Sequence, residues 1–233
     1  VDSQSPRRIR IRGVVYEKFF NGPKLKLVTE ISVVPGEATF RIDDTIENQG
    51  SSEQEFQIIY HANFGAPLLD KDARVHAAVQ SVAPMNDHAA KSIVNYATYD
   101  EPTSGFAEQV YLVEPLADPQ GKTLAVLHNA KGDRAASIQW DVQQLPYLTL
   151  WKNTAATEDG YVTGIEPATG YPFNRKVERQ AGRVPKLAAG ESRRFTLDFG
   201  LHRGMQSVDA EVQRVKTIQA DHVPVIQRTP PAN

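Results

Sequence analysis

The sequence predicts a mostly β chain folded as an antiparallel β-sandwich. Three observations predict it. Apolar and polar residues alternate with a period of two along most of the chain, turn formers interrupt these runs at short intervals, and no helical period intervenes before Ser207. With 40% hydrophobic and 23% charged residues over 233 positions, the chain has enough apolar surface for a sizeable core. The predicted organisation is a sandwich domain over residues 1–206, followed by a C-terminal helix and tail over 207–233.

The first predicted strand is Arg7 to Glu17, with Ile9 and Ile11 facing one way and Arg8, Arg10 and Arg12 the other. A strand with one solvated face explains these arginines better than a phosphate-binding patch. Asn21-Gly22-Pro23 turns the chain into a strand over Leu25 to Val34. Pro35-Gly36 turns it again into Thr39 to Glu47, where Phe40, Ile42 and Asp44 share a side. Gln54 to Phe64 reads as one strand, with Phe56, Ile58 and Tyr60 on one face and Gln57, Ile59, His61 and Asn63 on the other. Ala73 to Val82 reads as another, carrying His76. Residues 84 to 108 lack periodicity and form a long connection, of the kind that often meets ligands.

Strands then recur at Gln109 to Glu114, Thr123 to Asn129, Ala136 to Asp141 and Arg193 to Leu201. Between the last two lies the segment Leu145 to Pro172. There Tyr147, Thr149 and Trp151 alternate with Leu148, Leu150 and Lys152, so Trp151 and Lys152 fall on opposite faces. Tyr161 to Ile165 forms a second strand, and Glu166 stands at its end because Pro167 has no N–H for the ladder. On spacing alone, a solvated glutamate at a strand end explains Glu166 better than a catalytic one. Ser207 caps a helix running to Ala220, with Val208, Val212, Val215 and Gln219 in one stripe. The tail from Pro224 to Asn233 reads as extended or loose.

Composition excludes several functions. A net charge of −2, from 26 basic and 28 acidic residues, argues against a nucleic-acid partner. No apolar run approaches the ~20 residues of a membrane helix, so no membrane partner is expected. The N-terminal residues lack the apolar core of a signal peptide. With no cysteine there are no disulfides, thiolate ligands or cysteine nucleophiles. The expectation is a cytoplasmic protein, although a mature exported form has the same features. No HxH or HExxH spacing occurs, nor a G-x-S-x-G elbow or phosphate loop, and His76, His88, His128, His202 and His222 are scattered.

Three segments, taken in order, carry a resemblance. They are Tyr60-His61-Ala62-Asn63-Phe64-Gly65, Gly105-Phe106-Ala107-Glu108-Gln109-Val110-Tyr111, and Trp151-Lys152 followed by Gly164-Ile165-Glu166-Pro167. From about residue 9 to 201 the chain resembles the aldose 1-epimerase (galactose mutarotase) superfamily, in particular its DUF4432-type branch. The ordered set reverses the preference on Glu166. The resemblance implies a galactose-mutarotase-like supersandwich with a sugar-sized cleft, and interconversion of the α and β anomers of a free sugar or sugar derivative. That reaction needs one general base at the anomeric hydroxyl and one general acid at the ring oxygen. By resemblance Glu166 matches the base and His61 the acid, with Glu166 ionised at neutral pH and no metal or organic cofactor involved. A separation of about 5–9 Å between the two would admit the C1–O5 edge of a pyranose.

Other roles implied by the resemblance are Asn63, Glu108 and Lys152 as substrate-binding residues. Glu108 either orients His61 or binds a hydroxyl pair, Lys152 holds a hydroxyl or stabilises Glu166, and Trp151 packs in the core in preference to stacking on a sugar. The partner is a small-molecule carbohydrate. Members of the family carry further chain ahead of the region matching Arg7, including an arginine and a histidine that touch the sugar, and Arg8, Arg10 and Arg12 do not match them by motif. A sandwich short of those strands exposes unpaired edges, which implies a homodimer or a completing partner. The alternative to an enzyme is a non-catalytic carbohydrate-binding or assembly module that keeps the cleft without turnover.

Overall fold

The computed structural model describes residues 1–231. The chain opens with a meander of β1 (Ile9–Lys18), β2 (Lys24–Val33) and β3 (Thr39–Asn48), followed by the short β4 (Gln54–Glu55) and β5 (Ala62–Phe64). Next come β6 (Arg74–Ala77), β7 (Val79–Pro84), α1 (Asp87–Ala90), β8 (Gln109–Pro115), β9 (Lys122–His128), β10 (Arg134–Asp141), β11 (Tyr147–Asn153) and β12 (Val162–Ala168). The chain ends with α2 (Arg175–Gln180), β13 (Lys186–Leu187), β14 (Ser192–Arg203), α3 (Met205–Gln219) and β15 (Val225–Ile226).

These strands form a sandwich. One sheet has the order β1-β2-β3-β14-β10-β9-β6, the other β15-β7-β8-β11-β12-β5, and β13 pairs with β4 alone. The pairings are antiparallel except β15 on β7, which is parallel. The core lies between the sheets. Val75, Leu127, Trp140 and Phe195 from one meet Tyr111, Val113, Leu148 and Ile165 from the other. Each fully buried aliphatic side chain there contributes about 1.5–3 kcal/mol relative to exposure. On the outside of the first sheet, Val208 and Val215 of α3 pack on Leu124, Val126 and Ala135. That helix starts two residues before Ser207, on Gly204, and the Gln219 amide closes its far end by bonding both N–H and C=O of Val79.

Several elements differ from the sequence reading, each for a physical reason. Every residue of β1 is exposed, because β2 is its sole strand partner and nothing among the described residues packs across it. The run Ala73 to Val82 is two strands in different sheets; the chain crosses between layers at the fully buried Ala78. The long connection holds a helical turn at Asp87–Ala90, capped by Asn86 accepting from Ala89 N–H. Two residues of the tail, Val225 and Ile226, extend the second sheet, and its last two, Ala232 and Asn233, lie outside the described residues.

Two departures decide where the site sits. The run Gln54 to Phe64 is broken between β4 and β5, with Ala62 N–H bonding back to Tyr60 C=O. Strand β12 does not stop before Pro167 but runs through it to Ala168, which puts Glu166 inside the sheet. In an antiparallel strand the N and C=O of one residue point the same way. The Pro167 carbonyl accepts from Tyr60 N–H, so its missing N–H also faces the irregular segment 58–61, where no regular ladder needs it.

Candidate functional site

Register across the second sheet decides which side chains meet. Thr149 pairs with Glu166 and Trp151 with Gly164, while Gly164 pairs on its other side with Asn63. Directly paired residues share a face. Thr149, Trp151, Glu166 and Asn63 therefore lie on the face turned away from the core, joined by Val110 and Leu112 from β8. Leu148, Leu150, Lys152 and Ile165 point inward. The outer face carries a cleft of about 480 Å³, lined by Ile59, His61, Met85, Glu108, Val110, Thr149, Trp151, Glu166 and Pro172. This is a volume suited to a small molecule.

Glu166 forms the floor of the cleft. Its side chain is 4% exposed and that of His61 49%, and His61 Nε2 stands 3.0 Å from Glu166 Oε1. The contact is a close approach and not an aligned hydrogen bond, for Oε1 has no hydrogen-bond partner among the described residues. The buried Thr149 Oγ1, on the cross-strand neighbour of Glu166, is likewise unpartnered. Burial pushes the Glu166 carboxyl up to about 7, with the neighbouring His61 opposing the shift. The carboxyl is thus not the fully ionised group expected at neutral pH from an ordinary glutamate. The two side chains are also closer than the expected 5–9 Å, because the exposed imidazole folds down over the buried carboxylate.

Gly164 makes that approach possible. A Cβ there would collide with Glu166 Oε1 and come within 3.1 Å of His61 Cε1. Sequence reasoning used Gly164 as part of a motif but missed this role; the signal was a glycine two residues before the carboxylate in a strand. It also missed Thr149 and Met85, which no local pattern marks.

The remaining predicted residues divide between the two faces. Trp151 lies in the cleft and not in the core, its ring against that of His61 with centroids 5.5 Å apart and planes at 62°. Its Nε1–H donates to Glu108 Oε2 at 2.6 Å, so Glu108 touches Trp151 and not His61. Asn63 is exposed on the cleft side. Lys152 is on the other face, 3% exposed, its amine donating to the carbonyls of Asn95 and Thr98 and lying 5.0 Å from the Tyr99 ring centre. Burial pulls that amine down to about 8. From there it reaches neither a ligand in the cleft nor Glu166. Lys152 instead ties the connection after α1 to the sheet. His76 and His128 meet at 2.9 Å on β6 and β9, in the other sheet. No group of three or more His, Asp or Glu placed to hold a metal exists among the described residues.

Comparison with known proteins adds to this geometry. The family model described as Domain of unknown function (DUF4432) matches residues 1–201. A crystal structure of a candidate aldose 1-epimerase from Klebsiella pneumoniae subsp. pneumoniae superposes with a TM-score of 0.97 at 42% identity, covering 99% of this chain and 60% of that one. The chain thus spans about three-fifths of that protein's length. Two more distant structures share the fold: a galactose 1-epimerase from Lactobacillus acidophilus (TM-score 0.60, 11% identity, 88% of this chain and 65% of that) and a candidate aldose 1-epimerase from Escherichia coli K12 (0.57, 14%, 87% and 67%). The sandwich is therefore of the galactose-mutarotase-like type. No curated protein matches the chain.

Proposed function

We propose a function on one premise: the chain belongs to the DUF4432 family. On our reading it is an aldose 1-epimerase-like enzyme that interconverts the α and β anomers of a free sugar or sugar derivative. The observation that carries this reading is the buried Glu166 oxygen, which has no aligned donor and faces an imidazole at the floor of a sugar-sized cleft. A carboxyl titrating near 7 is matched to proton transfer at neutral pH, neither too weak to accept a proton nor too strong to return it.

The reaction follows from the two groups. Ionised Glu166 takes the proton from the anomeric O1–H as protonated His61 delivers one to the ring oxygen O5. The C1–O5 bond breaks, leaving an aldehyde at C1 and a hydroxyl at C5. Rotation about C1–C2 presents the other face of the aldehyde; the two residues then exchange roles and the ring closes to the opposite anomer. O1 and O5 are bonded to the same carbon, so an acid and a base in near contact need part only slightly to engage both. The imidazole is the partner free to yield, being half exposed. Asn63, exposed on the same face, stands to receive a sugar hydroxyl.

Polarimetry of freshly dissolved α-D-glucose, α-D-galactose and further free aldoses tests the proposal. Catalysed mutarotation lost in both Glu166→Gln and His61→Asn supports it. Equal rates in wild type and both variants, with sugar still bound, leave a carbohydrate-binding module instead.

A further inference from the structure

We propose that Trp151 and Glu108 are positioning residues for His61: the carboxylate fixes the indole, and the indole fixes the plane of the imidazole. This rests on the reading of His61 as the general acid. An acid must be held within hydrogen-bond reach and in the right direction, and small misplacements are expensive in rate. A histidine is usually aimed by a hydrogen bond to its second ring nitrogen. His61 has none: among the described residues its imidazole makes no hydrogen bond, and its side chain is 49% exposed. Exposed side chains otherwise hop between rotamers on a picosecond-to-nanosecond timescale. Beside the unaligned contact with Glu166, what aims it is the Trp151 ring, which meets it in the edge-to-face range at 5.5 Å and 62°.

Trp151 is itself held at two points. Its main chain sits in β11 between β8 and β12, paired with Val110 and Gly164. Its indole N–H gives a short, charge-assisted bond to Glu108 Oε2 at 2.6 Å. Glu108 in turn precedes Gln109, the first residue of β8. The Gln109 amide donates to Ser92 Oγ at 3.2 Å and accepts from Tyr111 O–H at 2.9 Å. The order of dependence therefore runs from a fixed strand end through Glu108 and Trp151 to the imidazole, and stops at Glu166. The Glu108 oxygen facing the indole is thereby committed, which sets this role apart from hydroxyl binding.

Ring ¹⁵N NMR of His61 and mutarotation kinetics on Glu108→Gln, Glu108→Leu, Trp151→Phe and the Leu/Phe double variant test the proposal. Glutamine keeps an acceptor for the indole N–H, so Glu108→Gln is expected to retain the wild-type His61 ring signals and kcat. Glu108→Leu and Trp151→Phe are expected to shift the ring signals and lower kcat roughly 10- to 100-fold with KM nearly unchanged. The double variant is expected to lose no more than the worse single one, as for residues acting in series. Unchanged ring signals in Glu108→Leu would overturn the proposal. So would a raised KM at constant kcat, which makes these residues sugar contacts, or a Glu108→Gln as impaired as Glu108→Leu. The NMR arm needs no turnover, so a wild type without mutarotase activity refutes the enzymatic reading while the ring signals still decide this one.

Discussion

His61 Nε2 stands 3.0 Å from Glu166 Oε1, yet the carboxylate oxygen has no aligned hydrogen-bond donor. On the proposed reading, this leaves Glu166 as a buried base beside an acid that does not satisfy it, ready to exchange a proton with the sugar. Burial pushes Glu166 up to about 7, and His61 holds it below where burial alone would leave it. The base form accumulates as pH rises through that value. The ascending limb of the pH profile of kcat/KM is therefore expected near 7, not near the ~4.3 of a free glutamate. In His61→Asn the residual activity has its limb displaced to higher pH, since the group opposing the shift is gone. A limb near 4.5 in wild type contradicts the assignment.

The same burial predicts a stability effect. A carboxyl whose folded-state value is raised binds its proton more tightly folded than unfolded. Stability from this group is thus present below the unfolded value and lost as pH rises from about 4.3 through 7. Glu166→Gln removes that loss, and is expected to stabilise the protein by about 1–2 kcal/mol at pH 8, the full displacement being discounted because the cleft lets solvent reach the pair. Near pH 4 the gain disappears. Urea unfolding at the two pH values checks this, and an equal gain at both would refute it.

Gly164 offers a test of shape. Alanine there collides with the Glu166 carboxylate and crowds His61, and the pair cannot keep its contact. Gly164→Ala is expected to lower activity more than about 100-fold while costing about 1–3 kcal/mol of stability. Gly13→Ala, where an added Cβ meets nothing within 4 Å, serves as the control. Thermal unfolding and kinetics on both variants separate the site effect from a general one.

Lys152 gives the opposite pattern. Its amine serves the Asn95 and Thr98 carbonyls on the core side of the sheet. Lys152→Met leaves those acceptors unpaired and is expected to cost about 1–3 kcal/mol, with faster hydrogen exchange in residues 91–98 and unchanged KM. A KM raised severalfold with normal stability would return Lys152 to the ligand.

Much of the fold was legible because period-two alternation and turn residues report strands directly. Alternation also separated Trp151 from Lys152, but which of them faces the cleft depends on register with β12, a non-local fact. The layer crossing at Ala78 and the break at Tyr60–Ala62 left no signal, since the residues on both sides keep a strand pattern. Pro167 misled for a definable reason. It ends a ladder only where its N–H is needed, and here that side faces an irregular segment. Spacing alone favoured a solvated Glu166; the ordered motifs, not periodicity, brought His61 and Glu166 forward together. The raised Glu166 value was illegible, because burial of a carboxyl is decided by what covers it.

The central claim is that His61 and Glu166 together open and close the ring of a free aldose. Exchange NMR of equilibrated anomers measures this most directly, with wild type and Glu166→Gln compared at pH 7. The account predicts α–β exchange that grows in proportion to wild-type protein and stays at the spontaneous rate with the variant. Exchange accelerated equally by both proteins, or by neither across the aldoses tried, would contradict it.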